Sequence, residues 1–305
     1  MRGGLACLLG LAMLAESGSA FAQIQVRDTL SGYLSFGAAL QSTDQFFDQS
    51  GESIESSEFD ITTLDLYAEL GLIDRYLMLT FSGQLFRRNE SIAAEVEEPF
   101  GGIVRGVGDF RIGLWTTLLQ SDALPGGPFR LLAATQFGIP AGDPSPSAPG
   151  DLNFLAENLP TGDGEFDVEF NLSAAKVLEF SGYPLRHFVD GRVGYWLRTE
   201  GFADNVTYWF QVGTQPKFPV LDRFWLMFGI NGTQSFIDLG DPAAFSSSTI
   251  GIGNGVSYTY LSAELQVRLP LGFGLGGRID DAIEGNLILD AVTFRVYGSL
   301  EFDAL

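Results

Sequence analysis

The chain has 305 residues, 46% of them hydrophobic, with 17 Lys and Arg against 38 Asp and Glu for a net charge of −21. A polypeptide this acidic repels the phosphates of nucleic acid, which excludes that class of partner. After Ala22 no uninterrupted apolar run approaches the roughly 20 residues a membrane helix requires, so the apolar content must be deployed in some other way.

The first element is a targeting segment. Met1-Arg2 is a short basic start, Leu5 to Ala15 an apolar core, and Ala20-Phe21-Ala22 an Ala-x-Ala cleavage signal, which predicts a signal peptide over 1–22 and a mature domain over 23–305. A lipoprotein signal ending at Leu5-Ala6-Cys7 is the alternative, but its apolar core would have almost no length. Cys7 is the only cysteine, so the mature chain has neither a disulfide nor a thiolate metal site.

Strand signals follow in series. Between Gly164 and Val177, Phe166, Val168, Phe170, Leu172 and Ala174 occupy one pleat face, and Asp167, Glu169, Asn171 and Ser173 the other. Successive side chains point to opposite faces, so this strand has an apolar outside and a polar inside; at about 10 residues such a strand crosses a bilayer when tilted. The same alternation predicts twelve strands, over 28–41, 58–73, 75–88, 107–119, 128–139, 164–178, 186–199, 204–216, 222–236, 255–268, 270–277 and 287–302. A soluble β-sandwich also alternates, but its strands run about 5 or 6 residues, half the length of these. The expected fold class is all-β: a transmembrane antiparallel up-and-down β-barrel of about 12 strands, closed so that every backbone amide is satisfied within lipid.

Connections alternate in length. Ile73-Asp74-Arg75 is a tight turn and Asn89 to Gly106 is long; Gln120 to Gly127 is brief and Pro140 to Asp163 is longer still. Barrels of this kind have short periplasmic turns and long extracellular loops, which puts both chain ends in the periplasm. The last strand alternates up to Phe302, the aromatic ending usual for outer-membrane barrels, with Asp303-Ala304-Leu305 beyond it. Acid crowds the loops: Asp44, Asp48, Glu52, Glu55 and Glu58 in the first, Glu90, Glu95, Glu97 and Glu98 in the second. Such loops stay solvated during transit, and at a lipopolysaccharide surface they share divalent cations with lipid phosphates. The expected location is the outer membrane of a Gram-negative bacterium. Expected partners are outer-membrane lipid and lipopolysaccharide, the barrel-assembly machinery and small organic solutes, around a monomer with no cofactor and no metal.

Parity, followed strand by strand, lines the lumen with polar groups of both signs and with aromatic rings. The expected lumen-lining residues are Asp65, Glu69, Asp109, Arg111, Trp115, Arg130, Asp167, Glu169, Asp190, Arg192, Trp209, Trp225, Tyr258, Tyr260, Glu264, Arg268 and Arg295, with Tyr67, Tyr76, Arg198, Tyr297 and Glu301 on the same face. On one reading Arg111, Arg130, Arg192, Arg268 and Arg295 pair with Asp109, Glu169, Asp190, Glu264 and Glu301 into bridges that fill a narrow barrel. On the other, rings offer stacking contact and arginines hold a carboxylate along a path. The two are compatible. Catalysis has little to work with: His187, the only histidine, falls on the lipid-facing parity, and Arg-His-Phe-Val-Asp offers no serine, so no enzyme is expected.

Three glycine-rich stretches carry a family resemblance: Gly106-Val107-Gly108-Asp109-Phe110-Arg111-Ile112-Gly113-Leu114, Gly138-Ile139-Pro140-Ala141-Gly142-Asp143-Pro144, and Leu159-Pro160-Thr161-Gly162-Asp163-Gly164. Together they resemble the outer-membrane transporters of the phenol-degradation meta-pathway family, relatives of the FadL-type hydrocarbon channels. The resemblance is clearest from about 58 to 200, and it implies a channel or uptake barrel for aromatic or other poorly soluble organic compounds. A first strand starting about five residues after the cleavage point leaves no room for a FadL-like N-terminal plug. The loop from Pro140 to Asp163, with prolines at 140, 144, 146, 149 and 160, is the candidate for a lid or constriction; its alternative is a plain surface loop. The function expected is passive diffusion of small organic solutes. A non-conducting adhesive or structural barrel, or a surface hydrolase, is the alternative.

Overall fold

Alternating sequence closes here into a single sheet. A computed structural model describes residues 26–92, 102–144, 159–199, 201–236, 252 and 254–303. Its strands are β1 (Gly32–Phe47), β2 (Ser53–Ile73), β3 (Leu77–Ile92), β4 (Gly102–Gly106), β5 (Phe110–Ser121), β6 (Phe129–Ile139) and β7 (Asp167–Glu179). They continue as β8 (Leu185–Leu197), β9 (Asn205–Pro216), β10 (Phe224–Ser235), β11 (Ser257–Arg268), β12 (Phe273–Asn286), β13 (Ile288–Leu289) and β14 (Val292–Phe302). Twelve of them form a closed antiparallel ring, because β1 pairs with β14 on one side and with β2 on the other. The two short strands are extensions at the long-loop end, β4 pairing with β3 and β13 with β1.

The barrel is inverted relative to a soluble protein. Along β7, Asp167, Glu169, Asn171 and Ser173 are buried while Phe170 and Leu172 are exposed. Elsewhere Phe36, Leu40, Val193, Phe210, Phe228, Leu261, Leu275, Phe294 and Val296 also face outward. That outer surface suits hydrocarbon, and the buried polar interior suits water or a polar solute. Tyr76, Phe180, Tyr183, Phe218, Phe273 and Phe302 are exposed around the short-turn end, an aromatic girdle of the kind that marks a membrane interface. No described helix is long and apolar enough to cross a membrane.

All twelve predicted strands have counterparts, with four departures. The first loop is short: β1 runs to Phe47 and β2 starts at Ser53, because the Asp48 carboxylate accepts the amides of Ser50 and Glu52 and Gly51 takes a left-handed φ of 81° to close the hairpin. Asp44, Glu55 and Glu58 therefore lie on strands, as does Glu90 on β3, whereas Glu95, Glu97 and Glu98 fall outside the described residues. The strand predicted over 270–277 starts at Phe273 and runs on to Asn286. Tyr76 is not in the lumen; a register shift between Gly71 and Ile73 precedes it, and it stands exposed in the girdle. Finally, β1 begins at Gly32, and Val26 and Arg27 before it are buried inside the short-turn end.

Candidate functional site

The three glycine-rich stretches meet in one knot at the long-loop end of the lumen. Asp109, between β4 and β5, accepts hydrogen bonds from three backbone amides: Ala141 at 3.1 Å and Gly142 at 2.9 Å on Oδ1, and Asp163 at 2.9 Å on Oδ2. Thr161 accepts from the Asp143 amide through Oγ1 at 2.8 Å and returns its own amide to the Asp143 carbonyl at 2.9 Å. Glycine is required where these segments touch: a Cβ on Gly162 would lie 2.3 Å from Asp109 Oδ1, and one on Gly142 would lie 2.5 Å from Gly162. Below the knot, Asn89 of β3 is fully buried and donates to the carbonyls of Leu159 (3.5 Å) and Pro160 (2.6 Å). Leu159 packs with Phe59, Ile61, Leu289 and Ala291. The described ends of the loop, 140–144 and 159–166, thus fold into the barrel rather than over its surface.

A buried ion cluster adjoins the knot. Arg198 donates to Asp163 at 2.9 Å and to Glu165 at 2.5 Å, with its guanidinium between the rings of Trp196 (4.7 Å) and Phe202 (4.4 Å). The Thr199 amide also donates to Glu165. Burial outweighs the nearby Arg198 charge and pushes the Glu165 carboxyl up to about 7 and that of Asp163 up to about 6.

Two cavities lie along the lumen. The upper one, about 500 Å³, is lined by Ser82, Gln84, Arg87, Asp109, Arg111, Thr161, Asp163, Asp167, Trp196, Arg198, Asn205 and Tyr258 among others. The lower one, about 200 Å³, is lined by Tyr33, Phe188, Gln211, Met227, Glu264, Gln266, Arg278, Arg295 and Tyr297 among others. Asp65 and Tyr67 belong to both, so they form the waist between them. Arg111 bridges to Glu169 at 2.7 Å and stacks on Trp196 at 4.4 Å. Arg295 holds Asp65 and Asp280, each at 3.2 Å, and Arg278 holds Asp280 at 2.6 Å. Tyr297 donates to Glu264.

At the short-turn end Val26 and Arg27, the first described residues, are buried inside the barrel. Arg27 is 5% exposed and donates to Glu69 at 2.5 Å and Glu301 at 2.9 Å, while Val26 packs with Met78, Trp115, Leu132 and Ala134. Val26 and Arg27 thus put side chains into the lumen just ahead of the first strand.

With this geometry in view, the chain is similar to solved outer-membrane barrels. An outer-membrane channel from Pseudomonas putida F1 matches with a TM-score of 0.61 at 13% identity, over 92% of this chain and 98% of that one. The beta domain of the Bordetella autotransporter Brka matches with a TM-score of 0.51 at 12% identity, over 90% and 100%. At such identities the likeness is one of fold. No protein-family model and no curated protein matches the chain.

The expected lumen residues can now be placed. Asp65, Asp109, Arg111, Asp167 and Tyr258 line the upper cavity, and Asp65, Glu264 and Arg295 the lower. Glu69, Trp115, Glu169, Asp190 and Trp225 are buried on lumenal parity. The rings of Tyr258 and Tyr260 stand 5.0 Å apart on β11.

The pairing scheme needs correction. Glu169 takes Arg111, but Asp109 is held by amides, Arg130 bridges to Asp122 in the turn at 2.7 Å, and Glu301 belongs to Arg27. Arg192 lies over the rings of Trp115 (4.7 Å) and Trp209 (5.4 Å) instead of bridging Asp190, whose Oδ1 accepts from Ser173 at 3.2 Å. Arg268 has no acid within ion-pairing distance among the described residues. The sequence reading missed Arg27, Arg87, Asp163, Glu165, Arg278 and Asp280. His187 remains on the outward parity, its ring 5.8 Å from that of Tyr183. In the knot, Thr161→Val keeps the shape and removes the acceptor for the Asp143 amide. It is expected to weaken loop docking by about 1–2 kcal/mol, read as faster external proteolysis between residues 145 and 158.

Proposed function

We propose that this chain is a channel of the Gram-negative outer membrane that passes small organic solutes, aromatic ones among them, by passive diffusion. The observation that carries the reading is the pair of polar, ring-lined cavities joined at Asp65 and Tyr67 inside a closed barrel with an apolar exterior. The long-loop end, with its acidic hairpin, faces outward to lipopolysaccharide, and the end that holds Arg27 faces the periplasm. Selectivity arises where the lumen is narrowest: at the knot, at the waist, and at the Arg27 bridge to Glu69 and Glu301. The aromatic solute class rests on the rings of Tyr33, Tyr67, Trp196, Tyr258 and Tyr297 and on the family resemblance.

Planar-bilayer recording of the refolded mature protein tests the reading. Discrete channel events, together with uptake of aromatic solutes by liposomes that contain the protein, are the expected result. Silence in both assays would refute it and leave the non-conducting structural barrel.

A further inference from the structure

One arginine of the upper cavity stands outside the ion pairs made by the described residues. Asp65 is held by Arg295, Asp163 by Arg198, Asp167 lies 3.9 Å from Arg111, and Asp109 is saturated by three amides. Arg87 differs: its Nε donates to Asn89 Oδ1 at 3.0 Å and its Nη1 to Gln84 Oε1 at 3.3 Å, both neutral amide oxygens. Among the described residues no carboxylate lies within 4.0 Å of it. A guanidinium in a barrel interior that meets only neutral amide oxygens keeps donors and charge for an anion, and a carboxylate is the group its planar fork fits best. Tyr258 lines the same cavity with a ring not covered by any arginine, whereas the Trp196 ring is already covered by Arg111 and Arg198. The space suffices, since about 150 Å³ holds a benzene molecule and the cavity has about 500 Å³.

We propose that the upper cavity is a binding site for a single-ring aromatic carboxylate, with the anionic head on Arg87 and the ring against Tyr258. The inference deepens the channel reading by naming the class of solute.

Isothermal titration of the detergent-folded full-length mature protein with sodium benzoate, and with benzyl alcohol as a neutral analogue of the same size, tests the site. Benzoate is expected to bind and benzyl alcohol to bind at least ~10-fold more weakly, with Arg87→Gln lowering benzoate affinity by ~10-fold, the usual scale for one charge-assisted contact. Arg87→Lys, which keeps the charge beside the same amides, is expected to bind more tightly than Arg87→Gln, so that the result holds even if the Gln variant folds poorly. Absence of benzoate binding to the wild type, equal binding of the two probes, or equal affinity in wild type and both variants would overturn the proposal. Bilayer conductance is scored separately. Conductance without benzoate binding overturns the site and leaves the channel, while binding without conductance sustains the site and removes the channel.

Discussion

Replacing Asp109 by Ala is expected to release the loop from the lumen and to raise single-channel conductance several-fold. The side chain supplies both oxygens to three amides that belong to two ends of one long loop, at 2.9–3.1 Å. Hydrogen bonds to a charged acceptor are worth roughly 1.5–3 kcal/mol each, so losing three weakens docking by about 5 kcal/mol. The other described hydrogen-bonding side chains of the knot already have partners of their own. The Thr161 hydroxyl serves Asp143, and the Asn89 amide serves carbonyls. Chymotrypsin added from outside is the independent readout, because Phe154 and Leu155 lie in the segment between the two anchored ends. Asp109→Asn should fall between: one oxygen remains for Ala141 and Gly142, but the new NH2 faces the Asp163 amide, donor against donor. Conductance and cleavage unchanged in Asp109→Ala would show that the loop is held by something other than this carboxylate.

That knot also shows what a sequence reveals and what it does not. Strand number and location were legible, because lipid on one face and water on the other force a two-residue period that no loop imitates; β7 carries it from Asp167 to Glu179. Where the barrel leaves the membrane the forcing stops. The upper half of β12 has Asp281 and Glu284 exposed on its outer face and Ala282 buried on its inner one, so alternation is lost and the strand reads as loop from 278 onward. Arg278, which lines the lower cavity, and Asp280, which holds it, disappeared with it. The three glycine stretches were visible as bends, yet their common purpose was not, since Asp109 and Asp163 are 54 positions apart and only the folded-in loop brings them together. Charge partners failed for a related reason. Parity says which side chains enter the lumen, but a guanidinium there chooses among neighbours from several strands, as Arg192 does in lying over Trp115 and Trp209. Arg27 was invisible altogether, because a residue ahead of the first strand has no parity to follow.

The second large effect is a pH dependence of the same loop, and its sign follows from burial. Glu165 is 1% exposed, and its carboxyl rises from an ordinary value of 4.5 to about 7 in the docked loop; that of Asp163 rises from 3.8 to about 6. Desolvation drives both upward and the Arg198 charge only partly opposes it. A docked loop therefore holds more protons than a released one, so docking is strongest below the ordinary carboxyl range and weakens as pH rises through about 6 and then about 7. At 1.36 kcal/mol per unit, Glu165 alone contributes roughly 3 kcal/mol between acid and mildly alkaline conditions. The two carboxyls share Arg198 and titrate as a pair, so their effects do not add. Protonation does not strand the arginine, which keeps the rings of Trp196 and Phe202 on its faces. Loop cleavage and conductance in the wild type are accordingly expected to increase from pH 5 to pH 8. Glu165→Gln, a permanent mimic of the neutral form, should lose most of that slope and stay docked at alkaline pH. Wild-type channels that open on acidification instead would mean that the ion pair, not desolvation, governs the cluster, and the sign would reverse.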